Sequence, residues 1–194
     1  MNIEYEATFT DVDKDEIRSR LKKAGATLLK PEFLQKRLNF TLPAGHEIKG
    51  GWLRVRDEDD KITMSLKVID GDKMEDQKEI CLHIDNFAEG VELLKSLGCQ
   101  EKAYQESRRE IWNLDQVEVT IDEWPYLEPY VEIEGKSEGE VKKVSTKLGF
   151  DYSQAIFGAV DIQYNKKYGL DCKMINIIKR ITFNDPNPFL KEKI

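Results

Sequence analysis

The chain has 194 residues, of which 40% are hydrophobic and 35% charged, and this composition predicts one domain with a core and excludes collagen-like and disordered classes. A net charge of −7 gives no support for a protein that coats nucleic acid or anionic membranes. Three separated cysteines without a CxxC or Cys/His group, no membrane-length apolar run and no signal-peptide pattern favour a cytoplasmic protein.

The first half of the chain predicts a strand, a helix and three further strands. Strict alternation of apolar and polar residues predicts the first strand at 3-IEYEATF-9. A helix follows over residues 11–25, with Asp11 or Asp13 as its N-cap and Gly25 as its end. The next strands are predicted at 35–42, 52–58 and 62–68.

The second half repeats this order of elements after about 75 residues, which indicates a duplicated β-α-β-β-β unit. Its elements are predicted at 78–85 (strand), 85–98 (helix), 104–114, 117–124 and 130–135 (strands). Two more helices are expected, at 137–149 with Ser137 and Glu140 as a capping box, and at 153–168. We therefore expect one domain over 1–168, followed by an unassigned C-terminal extension at 169–194.

Eight strands with few helices between them require a mainly antiparallel sheet, because parallel strands need crossover helices. Alternation alone favours an open sheet with its polar face in water. Eight strands can also close into a barrel with the charged face inside. The charges on that face are segregated rather than mixed, which favours the barrel. The charged positions are Glu4, Glu6, Arg37, Arg54, Arg56 and Lys67 in the first half, and Glu79, Arg109, Glu118, Asp122, Glu132 and Glu134 in the second.

A barrel lined with both signs of charge needs a ligand of matching chemistry, because converging like charges repel and are costly to desolvate. Arg and Lys bind phosphate oxygens, and clustered carboxylates bind hard cations such as Mg²⁺ or Mn²⁺. The lining therefore predicts a polyphosphate bound together with a divalent metal.

Several of these positions resemble the CYTH domain, or triphosphate tunnel metalloenzyme, family over residues 1–168. The family's opening ExExK strand is similar to 4-EYEAT-8, and its paired-basic strand is similar to 53-LRVR-56. Lys67, Asp122 and 132-EIE-134 follow in the family's order. The resemblance implies an α+β fold with an eight-stranded, closed, mainly antiparallel barrel and helices outside it.

The resemblance also implies roles for individual residues. The implied metal ligands are Glu4, Glu6, Asp122, Glu132 and Glu134. The implied phosphate ligands are Arg54, Arg56, Lys67 and Arg109, to which we add Arg37 from the same face and Lys166, or its neighbour Lys167, from the last helix. We expect Glu4, Glu6, Lys67 and Arg109 to act in catalysis, and Thr8, Glu79 and Glu118 to complete the lining. Thr8 departs from the family, which usually has Lys at this position.

The predicted activity is metal-dependent hydrolysis of a triphosphate, namely tripolyphosphate, a nucleoside triphosphate or thiamine triphosphate. A class IV-type adenylyl cyclase is the second hypothesis, and a non-catalytic nucleotide or polyphosphate-binding module is the third. The expected partner is the small-molecule substrate, and a homodimer is left open. Trp112, Trp124 and Phe157 are expected to pack between the sheet and the helices.

Overall fold

The computed structural model describes residues 1–190 of the chain. Within this range one sheet is surrounded by helices. The strands are β1 (Asn2–Ile3), β2 (Tyr5–Phe9), β3 (Thr27–Thr41), β4 (Gly51–Asp57), β5 (Ile62–Ile69), β6 (Gln77–Ile84), β7 (Gln100–Leu114), β8 (Val117–Glu123), β9 (Tyr130–Gly135) and β10 (Arg180–Ile181). The α-helices are α1 (Lys14–Ala24), α2 (Phe87–Ser96), α3 (Glu138–Lys147), α4 (Asp161–Tyr168) and α5 (Cys172–Ile175), and single 3₁₀ turns lie at Met74–Asp76 and Tyr152–Gln154.

The sheet closes on itself through the first strand. Its strand order is β1-β6-β5-β4-β3-β7-β8-β9-β2, so the two ends of the order are β1 and β2, which only Glu4 separates in the chain. The Glu4 N–H donates to the carbonyl of Gln77 at 2.9 Å and continues the pairing to β6. The predicted eight-stranded antiparallel barrel is therefore confirmed, with its first strand interrupted at Glu4 and with β10 added in parallel to β7.

The pairing also confirms the duplicated unit. The long strands β3 and β7 are equivalent in the two halves and pair with each other. The first strand of each half pairs with the last strand of the other half: β2 with β9, and β6 with β1 as well as with β5. Exchanging the two halves therefore leaves the strand order unchanged.

Alternation along β2 separates an outer apolar face from the barrel interior. Ala7 and Phe9 pack outward with Ile17 and Leu21 of α1 in the main core, which also contains residues of α3. A second cluster lies under α2. The helices thus cover the apolar face, and the charged face lies inside the barrel.

The ends of α1 follow the predicted signals. Asp13, rather than Asp11, is the N-cap, and its side chain accepts a hydrogen bond from the Glu16 N–H at 2.9 Å. Gly25 ends the helix with φ of 86°, a left-handed conformation that glycine adopts without a Cβ clash. Ser137 likewise caps α3.

The predicted helix at 153–168 is wrong in its first half. Ile156 and Thr8 exchange two backbone hydrogen bonds, each of 3.0 Å, which hold this segment extended beside β2. Gly158 then has φ of 131°, outside the helical region. The α-helix α4 begins only at Asp161 because a helix through Ile156 would lose the pairing with Thr8.

Residues 169–190 pack against one end of the barrel. A cluster of mainly aromatic residues joins them to β8, β9 and α4, and consists of Trp124, Tyr130, Tyr164, Ile175, Ile181 and Phe189. Residues 191–194 of the predicted extension lie outside the described residues. Over residues 1–190, no helix is both long and apolar enough to cross a membrane.

Candidate active site

Arginine and lysine side chains inside the barrel are held mainly by neighbouring carboxylates. Lys67 Nζ lies 2.7 Å from Glu4 Oε2, and Arg54 Nη2 lies 2.9 Å from Glu79 Oε1. Because β5 pairs with β4 and β6, Lys67 is directly opposite Glu79 in register, and these four side chains form one charged layer. Burial raises the pKa of the Glu79 carboxyl, but the lowering by Arg54 and Lys67 is larger, and the resulting pKa is about 2.

Arg109 forms the most extensive ion pair in the barrel. Its Nε and Nη2 donate to the two oxygens of Asp122 at 2.7 and 2.9 Å, and Nη2 also contacts Glu132. Asp122 is fully buried and accepts a further hydrogen bond from Thr120 at 2.6 Å. Burial alone lowers the pKa of Arg109, but the two carboxylates raise it well above its usual value. This cation is therefore fixed in position and in charge.

Arg37 is the exception, because it is a buried cation without an acidic partner among residues 1–190. Its Nη2 donates to Gln35 Oε1 at 2.8 Å and contacts Ser107, both uncharged, and its guanidinium lies 4.4 Å from the centre of the Trp124 ring. Burial, together with Arg56, Arg54 and Arg109, lowers the pKa of Arg37 to about 9. A buried guanidinium among other cations is unfavourable, and an anionic ligand would relieve this cost.

Three carboxylates form a row on the opposite wall. Glu134 of β9 stands opposite Glu6 of β2 and Glu118 of β8 in register, and none of the three forms an ion pair with a residue in the described range. Burial, Glu132 and other carboxylates raise the pKa of Glu6 well above its usual value. Glu134 has an exposed surface, but desolvation of its carboxyl, together with Glu4 and Glu118, raises its pKa to about 7. Like charges facing one another across strands are destabilising without a cation.

The carboxylate row fits a hard divalent cation in donor type and in charge. No group of three or more His, Cys, Asp or Glu side chains in residues 1–190 is arranged to hold a metal ion, since Glu4, Asp122 and Glu132 contact Lys67 or Arg109 instead. Binding of a metal by the predicted ligands would therefore require side-chain rotation.

A cavity of about 430 Å³ opens beside the cations at the end of the barrel that is covered by α4 and α5. Arg37, Arg54 and Lys67 lie in its lining, with Lys102 of β7 as a fourth cation. The Nε atoms of Arg37 and Arg54 are buried and have no hydrogen-bond acceptor within the described part of the chain. Both guanidinium groups therefore retain an unsatisfied donor beside the cavity, although these Nε atoms are themselves enclosed by protein.

Some predicted site residues lie apart from this cluster. Lys166 contacts Thr10 and Asp11 on the outer surface, and its side chain is 63% exposed. Lys167 contacts Glu128 in the same region. Neither lysine is among the residues that line the cavity. Thr8 is buried and faces Glu132 in register, so it occupies the acidic wall as predicted from the strand alternation.

Three residues at the site were missed by the sequence analysis. Glu58 continues the inward alternation of β4 and binds Arg56, so the pattern 54-RVRDE-58 contained the signal. Asn39 and Lys102 line the cavity but carry no recognisable motif. Trp112 packs in the main core and Trp124 packs between the sheet and the helices α4 and α5, as predicted, and Trp124 also lies against Arg37 at the cavity.

Comparisons with known proteins agree with this architecture. The CYTH domain model matches residues 2–160. A candidate adenylate cyclase from Vibrio parahaemolyticus superposes with a TM-score of 0.69 at 10% identity, covering 81% of this chain and 95% of its own. PH1012 from Pyrococcus horikoshii OT3 superposes with a TM-score of 0.64 at 22% identity, covering 78% of this chain and 93% of its own. A candidate adenylyl cyclase from Hippeastrum, described as having a dominant triphosphatase activity, superposes with a TM-score of 0.55 at 14% identity. This match covers 88% of this chain and 99% of the Hippeastrum chain. At these identities the likeness establishes the fold, and no curated protein sequence matches the chain.

Proposed function

The chain belongs to the CYTH domain family, and from this premise we propose that it binds a triphosphate inside the barrel and hydrolyses it with Mg²⁺ or Mn²⁺. The observation that carries the proposal is Arg37, a buried cation that has no carboxylate partner in residues 1–190 and that lines a cavity together with Arg54 and Lys67. A polyphosphate supplies the missing negative charge at this wall.

The proposed phosphate ligands are Arg37, Arg54, Arg56, Lys67 and Arg109. Phosphoryl transfer depends mainly on positioning and on neutralising the charge that grows on the transferred group and the leaving oxygen. Arg109 supports this role because Asp122 and Glu132 hold its guanidinium in one orientation. Arg54 and Lys67 are held in the same way by Glu79 and Glu4, so the cations are oriented before substrate arrives.

The proposed metal ligands are Glu4, Glu6, Asp122, Glu132 and Glu134. Glu4, Asp122 and Glu132 orient Lys67 and Arg109 in the metal-free protein, and they would have to rotate from these cations to bind the metal. A divalent ion bound by these carboxylates would neutralise phosphate oxygens and help to orient the nucleophile. Glu6 and Glu134 support the proposal most directly, since they face each other across β2 and β9 without an ion pair to any of residues 1–190, and burial together with neighbouring carboxylates raises the pKa of each. Glu118 stands in the same row and adds to this demand for a cation.

In the proposed reaction, water attacks the terminal phosphorus, and the bond from this phosphorus to the bridging oxygen breaks. The attacking water loses a proton to the solvent, and the products are orthophosphate and the shortened diphosphate. Lys67 and Arg109 stabilise the growing negative charge, while Glu4 and Glu6, beside Lys67, orient the reacting groups on the acidic side. Cyclisation of ATP is the second candidate, because the cavity extends beyond Arg54 and offers room for a larger substrate.

The test is a product assay with tripolyphosphate, ATP, GTP and thiamine triphosphate, each with Mg²⁺ and with Mn²⁺. Orthophosphate release supports the hydrolase, and pyrophosphate together with a cyclic nucleotide supports the cyclase. Binding without product would favour a non-catalytic module. Absence of both binding and product for every triphosphate would overturn the proposed function.

A further inference from the structure

The outer face of β5 and β6 lacks the helix that covers the equivalent face in the other half of the chain. In the second half, β9 is followed by α3, which packs on the outer face of β2 and β9 and buries Ala7 and Phe9. In the first half, β5 is followed only by the 3₁₀ turn at Met74–Asp76. As a result, Ile80 and Leu82 on the outer face of β6 are 45% and 53% exposed.

Helix α2 extends this exposed apolar surface. Gly90 of α2 lies against Ile84 of β6, because a Cβ at Gly90 would stand 2.5 Å from Ile84 Cδ1. Leu93 and Leu97 follow Gly90 by three and seven residues, so they lie on the same flank of the helix. They are 49% and 61% exposed. With the two exposed residues of β6 they form one apolar surface, the β6–α2 corner, and a contiguous surface of this kind marks a site of association.

The two sides of the β6–α2 corner are complementary to each other. The outward row on β6 is Lys78, Ile80 and Leu82, and the row along the flank of α2 is Glu89, Leu93 and Leu97. Each row has one charge followed by two apolar side chains, and the two charges are opposite in sign. Both rows are about 12 to 13 Å long, from the rise per residue of a strand and of a helix. One row can therefore pack on the other in register.

The two rows run in opposite directions within one chain. Helix α2 begins beside Ile84 at the end of β6, and Gly98 at its other end lies beside Pro43, which follows β3. The end of β3 and the start of β6 lie at the same end of the sheet. A twofold axis perpendicular to β6 reverses α2 of a second copy, so that this α2 runs parallel to β6 and the two rows align.

The charges at the start of the two rows are available for this contact. Lys78 and Glu89 are both exposed, and neither forms an ion pair with any of residues 1–190. In a twofold arrangement, Glu89 of one copy meets Lys78 of the other. Opposite charges at the rim of an apolar contact favour one register and one partner.

We propose that the β6–α2 corner binds the same corner of a second copy of this chain, which gives a twofold-symmetric homodimer. The leucines of the α2 row in one copy pack on Ile80 and Leu82 of the other, and the axis repeats every contact. The inference does not depend on the proposed function, because the corner lies on the outer face of the sheet and the proposed phosphate and metal ligands lie inside the barrel.

The test is sedimentation equilibrium of the full chain over about 1 to 100 μM, since dimerisation depends on protein concentration. Wild type should reach twice the 22.5 kDa mass of one chain. Leu82→Asp should weaken the dimer at least about tenfold, because it buries a carboxylate in the apolar contact. Leu29→Asp makes the same change at an exposed leucine of β3 and should dimerise like wild type.

Charge reversal tests the pairing of Lys78 with Glu89. Lys78→Glu and Glu89→Lys should each weaken the dimer at least about fivefold, because like charges then meet twice across the axis. The double variant should recover wild-type affinity within about twofold. Glu138→Lys, in the first turn of α3, is the control for reversing an acid at the start of a helix and should have no effect.

A chain that is monomeric at about 100 μM would overturn the proposal and would leave the corner to a different protein or to solvent. A dimer that Leu82→Asp and the charge reversals do not weaken would also overturn it, because the interface would then lie elsewhere. Weakening by both single reversals without recovery in the double variant, in proteins whose thermal unfolding matches wild type, would overturn the twofold pairing of the two rows.

Discussion

Arg56 and Glu58 form an ion pair at the end of β4, in which Glu58 is buried and Arg56 is half-buried. The Nε and Nη2 atoms of Arg56 both contact Glu58 Oε1, at 2.9 and 2.8 Å. Glu58 is 2% exposed and also accepts a hydrogen bond from Thr63 at 3.2 Å. Arg56 is thus oriented by an acid, whereas Arg37, opposite it in register, is not.

Glu58→Gln should destabilise the protein in a pH-dependent way. Burial raises the pKa of Glu58, but the lowering by Arg56, Lys61 and Arg109 is larger. The folded-state pKa of Glu58 therefore lies below the usual 4.5. Ionised Glu58 therefore contributes stability that is present above pH 4.5 and is lost as the pH falls through the lower folded-state value. At pH 7 we expect a loss of about 2 kcal/mol, because the substitution leaves the half-buried Arg56 without its acid.

Urea unfolding of wild type and Glu58→Gln between pH 3 and 7 measures this difference. The gap in free energy of unfolding should shrink as the pH falls below about 4. Glu75→Gln, at an exposed glutamate, serves as the control. A constant gap over the whole range would contradict an ionised Glu58 as the source of the stability.

Arg37→Gln and Arg109→Gln should separate ligand binding from stability. Arg37 lacks an acidic partner in residues 1–190, so its replacement should leave the free energy of unfolding within about 1 kcal/mol of wild type or raise it. Arg109→Gln leaves Asp122 and Glu132 uncompensated and should cost about 3 kcal/mol. Both should weaken tripolyphosphate binding at least about tenfold.

Thermal unfolding and calorimetry on the same samples give both quantities. Arg108→Ala is the matched control, because Arg108 neighbours Arg109 on β7 but faces outward with Glu123 and Phe183. If Arg37→Gln destabilises the protein as much as Arg109→Gln, then Arg37 is a structural residue and the main argument for a phosphate ligand is lost.

The strand pattern predicted much of this site because alternation determines which face each residue occupies. The alternation in 3-IEYEATF-9 placed Glu6 and Thr8 on the charged face of their strand, and the closure of the sheet makes that face the interior of the barrel. Glu4 and Lys67 could both be assigned to the same interior, but their contact could not be predicted, since it depends on the order of the strands around the barrel.

The conformation of residues 153–168 could not be predicted because it depends on tertiary contacts. The backbone of Thr8 pairs with Ile156 and keeps that segment extended, although its sequence allows a helix from Ser153. The sequence does not determine the register of the last helix, and the exposed position of Lys166 beside Asp11 follows from where α4 begins. Neither the pairing of Thr8 with Ile156 nor the contact of Lys166 with Asp11 can be predicted from local helix propensity.

The carboxylate row should bind Mn²⁺ in the absence of substrate. Glu134 faces both Glu6 and Glu118, so Glu134→Gln removes the central charge and should reduce Mn²⁺ affinity at least about tenfold. Electron paramagnetic resonance of free Mn²⁺ measures this affinity directly. Glu92→Gln, on the exposed side of α2, should have no effect. Equal affinity in wild type and Glu134→Gln would show that the row is not the metal site.

Thr8→Lys should strengthen triphosphate binding. Thr8 lies inside the barrel opposite Glu132, which Arg109 contacts from the other side. A lysine here would add a cation between the acidic wall and the phosphate position, and a charge-assisted contact of about 1.5 kcal/mol corresponds to roughly tenfold in affinity. Thr8→Met introduces a long side chain without charge and controls for the loss of space at this buried position. Calorimetric titration of tripolyphosphate into both variants decides the matter: tighter binding by Thr8→Lys alone supports Thr8 as a missing phosphate ligand. Weaker binding by both variants would mean that the barrel has no room for a long side chain at position 8. Packing, rather than ligand specificity, would then explain why this chain has Thr8 where the family usually has Lys.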